Sequence, residues 1–338
     1  MISLQETIIQ KLEHMTTLKY YTFCGYARNC WLLLLKALDI GAGDEVIVPG
    51  FSCQSIYQVI YDVGATPVFV DVDRGSVNIA PCKIEEAISN KTKAIYVIHA
   101  FGFSAEIDKI SQIAKEHSIY LVEDISHTLN CTYAHRQLGS YGNFAICSLT
   151  KIMVNYQGGF VATNDHAIHT KIQKDQLSQP VKQYGIHFLY YLYRFLCSLW
   201  ECNGAFAVLI IFKIFLILKG KSRIQKLYSV NYDFFRMEWL AIYIADRQLS
   251  KQISEKYMNK RNKSFYKFRA KYSGKISFPE LLMKQTGVMP NHHCGMIDSN
   301  ACESKISLCI WINTNISEDL VNSKELYGKL RLFFKRMW

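Results

Sequence analysis

Through the first half of the chain, short apolar runs alternate with helix-like stretches, and this alternation limits the folds open to it. Segments 45–49, 67–71, 94–99 and 119–122 read as strands, with helices predicted over 55–63, 84–89 and 107–117. Further strand-like runs lie at 145–148 and 160–162, and residues 31–38 read as a long apolar helix. Strands that are apolar at nearly every position suit a sheet covered on both faces, so the expected class is α/β with a mainly parallel sheet. Ligands on such sheets collect at the carboxyl ends of the strands. His99, Asp124 and the segment from Ser148 to Lys151 all fall there in this reading.

The remaining chain divides by composition. A large α/β domain is expected over 1–180, an apolar helical insertion or linker over 181–230, and a small C-terminal α+β domain over 231–338. The apolar stretch 184–219 is interrupted by Arg194, Glu201, Asn203 and Lys213. A spanning helix needs about 20 predominantly apolar residues. The reading is therefore a buried or dimer-covered helical pair, with peripheral membrane contact through 184–219 as the alternative. A strand is predicted over 306–311, and helices over 234–272 and 318–334.

Half of the residues are hydrophobic and a fifth charged, so disorder does not dominate. The formal charge of +11 suits an anionic substrate, such as a nucleotide-linked one, or an anionic membrane face. No basic block is interleaved with aromatics in a recognisable module, so nucleic acid is not an expected partner. The 11 cysteines are scattered with no Cys-x-x-Cys pair, and read as buried free thiols in a reducing compartment rather than a zinc site. Residues 1–19 lack a signal-peptide core, and a cytoplasmic location is expected, with a membrane-peripheral one as the variant.

Lys151 follows an apolar strand and precedes the pair Gly158-Gly159. A surface lysine is the plain alternative, but this context disfavours full exposure. Pyridoxal 5'-phosphate (PLP) needs an amine for a Schiff base and a carboxylate to keep its ring nitrogen protonated. Lys151 and Asp124 are the candidates, although a strand-end aspartate often just caps the next helix. His127 could reach the same ring, or be structural. Tyr26-Ala27-Arg28-Asn29 precedes the apolar helix, whose first-turn N–H groups suit a phosphate, with Arg28 adding charge. A plain helix start with a solvated arginine is the alternative.

These residues resemble a family. Segments 41–49 (GAGDEVIVP), 64–73 (GATPVFVDVD) and 92–95 (TKAI), and His99 followed by Gly102, resemble the DegT/StrS-type sugar aminotransferases. So do Glu123-Asp124-Ile125-Ser126-His127, Leu138-Gly139-Ser140-Tyr141-Gly142 and the run from Ser148 to Asp165. The match is ordered and nearly gap-free from Ala37 to Asp165. It implies a homodimeric PLP enzyme of the aspartate-aminotransferase-like fold (fold type I), with a shortened C-terminal domain. Lys151 would bind the cofactor and shuttle protons. Asp124 would hold the ring nitrogen, with His127 near the ring oxygen. Ser148, Ala27 and Arg28 would serve the phosphate, Ala27 standing where the family usually has glycine. Phe51 or Cys53 would lie against the ring, and Asn231 would reach the partner subunit's phosphate. The implied reaction moves an amino group from an amino acid, most often glutamate, to a nucleotide-linked keto sugar for cell-surface polysaccharide or amino-sugar biosynthesis. Relatives that are dehydratases carry histidine at the lysine position, so Lys151 argues against that chemistry. A third possibility is a catalytically impaired, membrane-associated member with a regulatory or assembly role.

Overall fold

The computed structural model describes residues 3–73, 78–153, 155, 157–180, 236–252, 285–286 and 296–297. Its centre is a seven-stranded sheet in the order β1-β10-β9-β6-β5-β2-β4. The strands are β1 (Tyr20–Cys24), β2 (Glu45–Pro49), β4 (Thr66–Val70), β5 (Thr92–Ile98), β6 (Tyr120–Asp124), β9 (Phe144–Ser148) and β10 (Gly159–Thr163). From β4 through β2, β5 and β6 to β9 every pairing is parallel, as the apolar runs predict. Only β10 runs against its neighbours: it is antiparallel to β9 and to β1. Three two-residue strands, β3 (Phe51–Ser52), β7 (Thr132–Tyr133) and β8 (Arg136–Gln137), follow outside the main sheet. From the later chain, β11 (Gln285–Thr286) pairs with β7 and β12 (Met296–Ile297) with β3.

Both faces of the sheet are covered because successive strand residues point to opposite sides. Val46, Val48, Ala94, Tyr96, Val122, Phe144 and Ile146 face one layer of helices. That layer is α2 (Ala27–Ala37), α3 (Gln54–Asp62) and α7 (His166–Leu177). Ile47, Ile95, Val97, Leu121, Ala145, Cys147 and Phe160 face the other. There the cover is α1 (Leu4–Thr16), α4 (Pro81–Ala87), α5 (Ile107–Glu116) and α8 (Trp239–Gln252). In α2, residues 29–35 and Ala37 are all buried, so it reads apolar all round instead of as a stripe.

Near the N-terminus the chain forms the helix α1. A reciprocal capping box between Ser3 and Glu6 starts it, and Ile8, Leu12 and Met15 are buried along one side. It holds α8 through the Lys11–Asp246 ion pair, Nζ to Oδ1 2.5 Å. The proposed boundaries near 180 and 230, the apolar stretch 184–219 and most of 231–338 lie outside the described residues. Among the described residues no helix is long and apolar enough to cross a membrane. The described cysteines are free, and Cys24, Cys30, Cys131 and Cys147 are buried as expected. Cys82, on the outer side of α4, is exposed, contrary to the buried reading.

Candidate functional site

The carboxyl ends of β6 and β9 lie side by side, Asp124 pairing with Ile146 two residues before Ser148. A hydrogen bond ties the two exits together, the Ser148 N–H donating to Ser126 Oγ at 2.8 Å. After β9 the chain turns at once into a single helical turn, α6 (Leu149–Ile152), which carries Lys151. The lysine sits on this short helix directly after the strand, and is half-buried. Ser148 Oγ and Thr150 Oγ1 are 3.1 Å apart, a hydroxyl pair just before it in sequence. The loop then closes back on the sheet: Leu149 N–H donates to the Gly158 carbonyl at 3.0 Å, and Gly158 N–H to Gly25 at 2.6 Å.

The glycine pair has two separate reasons. Gly158 adopts φ +130°, which L side chains rarely take, and a side chain there would strike Met237. Gly159 needs space instead. A Cβ there would stand 2.7 Å from Ala27 Cα and from the Tyr26 carbonyl carbon, and closer still to the Ala27 nitrogen. The first turn of α2 is thus seated directly on the start of β10. The N-cap residue, Tyr26, makes no side-chain cap to that turn, and the Arg28 guanidinium lies over the Tyr26 ring, 4.4 Å from its centroid. A helix start whose N-cap side chain leaves its first-turn N–H groups alone, beside an arginine, suits a phosphate.

The neighbouring acids Glu123 and Asp124 face opposite sides of the sheet and do different work. Asp124 is buried, with Oδ1 accepting from Ser126 N–H and Oδ2 from the Tyr96 hydroxyl, both at 2.9 Å. Glu123 is closed within the fold. Its oxygens accept from Gly139 N–H at 2.9 Å, Gly142 N–H at 2.6 Å and His99 Nε2 at 3.2 Å. His99 Nδ1 accepts from Ala105 N–H, so the ring proton lies on Nε2 and is donated to Glu123. His99 does stand at a strand end, but it is fully buried in this bracing network. The sequence reading did not single out Tyr96. A tyrosine in a buried strand, which needs a partner for its hydroxyl, was the available signal.

The remaining candidates divide. His127 is buried in the turn after β6. Phe51 is buried against Val72 and Ala100. Cys53 is half-buried at the start of α3. Asn231 lies outside the described residues. Together the buried carboxylate, the lysine one turn past the adjacent strand and the tightly seated start of α2 fit PLP: a ring-nitrogen partner, an amine and a phosphate seat.

The profile of the DegT/DnrJ/EryC1/StrS aminotransferase family matches residues 12–188, more than half of the chain. The chain is 38% identical over 143 residues to the spore coat polysaccharide biosynthesis protein SpsC of Bacillus subtilis, covering 42% of this chain and 37% of that one. It is 34% identical over 184 residues to a dTDP-3-amino-3,6-dideoxy-alpha-D-galactopyranose transaminase of Aneurinibacillus thermoaerophilus, covering 51% and 49%. The chain thus spans about half the length, or less, of these curated relatives. Among solved structures, an aminotransferase from Psychrobacter cryohalolentis superposes with a TM-score of 0.62 at 25% identity, covering 84% of this chain and 67% of that one.

Proposed function

The chain belongs to the DegT/DnrJ/EryC1/StrS aminotransferase family, and on that footing we propose that it is a PLP-dependent aminotransferase acting on a nucleotide-linked keto sugar. The observation that carries this reading is Lys151 one turn past β9, beside the strand that ends in the buried Asp124 carboxylate. When bound, PLP would supply an electron sink for the carbon that gains or loses the amine. Lys151 Nζ would hold the cofactor and take and return the proton at that carbon. Asp124 would keep the proton on the ring nitrogen, with His127 toward the ring oxygen and Phe51 or Cys53 against the ring. The first turn of α2, Arg28 and Ser148 would take the phosphate. The net charge of +11 suits a sugar carried on a nucleoside diphosphate. Glutamate as amino donor, a cytoplasmic homodimer and a product destined for cell-surface polysaccharide complete the reading. The relatives named for spore coat polysaccharide and a dTDP-amino sugar support the substrate class.

The test is the visible spectrum of the full chain reconstituted with PLP. We expect an absorption band that borohydride removes, leaving a pyridoxyl group on the peptide that carries Lys151. Lys151→Ala should lack both, and glutamate should bleach the band and release 2-oxoglutarate. A protein that takes up no PLP, or is labelled elsewhere, would overturn the reading in favour of a non-catalytic, membrane-associated role.

A further inference from the structure

Tyr96 lies on β5 beside Val122, one pleat below the pair Ile98–Asp124 and on the same face of the sheet. Its side chain is almost wholly buried, and its hydroxyl reaches up to donate to Asp124 Oδ2 at 2.9 Å. The phenol ring packs against the Trp31 indole, centroids 4.8 Å apart at 55°. Trp31 is held in turn, its Nε1–H donating to the Ile56 carbonyl at 3.2 Å. On the other side of the carboxylate, Oδ1 is fixed by the Ser126 N–H. Both oxygens are therefore tied, and the carboxylate plane cannot turn without breaking one bond. Each oxygen keeps a second lone pair.

Building on the PLP reading, we infer that Tyr96 is a positioning residue: it fixes the plane in which Asp124 meets a protonated aromatic nitrogen. Burial, then the nearby Asp124 charge and the hydrogen bond to it, push the Tyr96 phenol well above its ordinary value, so it stays a donor. Its hydroxyl answers to Asp124, and α2, which carries Trp31, also provides the proposed phosphate seat. One helix would then govern both ends of the cofactor.

The experiment compares binding of PLP with binding of its carbon analogue, in which the ring nitrogen is replaced by C–H, to the full chain and to Tyr96→Phe. The two ligands share every contact except the one to Asp124, so general loosening moves both affinities alike. In the parent, PLP should bind more tightly than the analogue. In Tyr96→Phe that preference should fall by about tenfold, as expected for one hydrogen bond to a charged group. A preference unchanged or increased in Tyr96→Phe overturns the inference. A parent that takes up PLP on Lys151 but binds both ligands equally removes the Asp124 role, and this inference with it. A parent that binds neither ligand sinks the PLP reading itself. If Tyr96→Phe does not fold, Trp31→Phe, which loosens the phenol but leaves its hydroxyl, is read by the same ratio: a fall supports the inference and no change overturns it.

Discussion

Gly159→Ala tests whether β10 and α2 are locked as one unit. The added methyl would stand 2.7 Å from Ala27 Cα and from the Tyr26 carbonyl carbon, where ordinary contact begins at 3.4 Å. The obstacle is backbone, which cannot step aside like the end of a side chain. The first turn of α2 must move away by most of an ångström, or β10 must leave its register with Ser148 and Cys24. Overpacking of this kind costs about 1–3 kcal/mol, and rigid neighbours place it toward the upper end. For a domain of this size that corresponds to a fall of roughly 5–10 °C in melting temperature. Because α2 would also seat the phosphate, PLP affinity should fall too, by about tenfold or more. Gly43→Ala is the control. Gly43 has φ +93° and open space around its would-be Cβ, so its cost is backbone strain alone, about 1 kcal/mol, with no effect at α2. Thermal melts of the apoprotein and PLP titrations of both variants decide it. Gly159→Ala melting within about 1 °C of the parent, or both variants binding PLP equally well, would refute the reasoning.

Two further perturbations separate bracing from chemistry. Glu123→Gln places an amide N–H₂ where Gly139, Gly142 and His99 all donate. At least one donor is left facing another, so the variant should lose about 3 kcal/mol in urea unfolding, and a loss under about 0.5 kcal/mol would show that Glu123 does not organise the turn. His169 on α7 stacks on Tyr20, centroids 5.3 Å apart, and burial holds its imidazolium form below the usual range. The folded value is depressed, so this stabilisation is complete above the unfolded value of 6.5 and is lost as pH falls through the folded value. His169→Gln should therefore show a shallower drop in melting temperature between pH 7.5 and 5.5 than the parent. Equal slopes would refute this.

Several strands were legible almost to the residue, because each is an apolar run bounded by turn residues: 45–49 against Glu45–Pro49, and 145–148 against Phe144–Ser148. The edge strand β1 was not, since its partner β10 lies far along the chain and no local pattern carries that pairing. The reversal of β10 also escapes a reading of apolarity, though chain length bears on it. Only residues 149–158 join β9 to β10, and a parallel return needs a dozen residues or more. The site shows a similar division. Glu123-Asp124 presents two acids in sequence, and a period of two ensures that only one can face α2 and the candidate site. Which one does so depends on β5, where Ile98 stands beside Asp124 and Val97 beside Glu123. Glu123 turns inward to hold the backbone of Gly139 and Gly142, the turn that leads into the lysine strand. The acidic pair and the glycine turn, met as separate motifs along the chain, are therefore two ends of one contact. In the proposed site, Asp124 would serve the cofactor while Glu123 braces the turn before the strand that leads to Lys151.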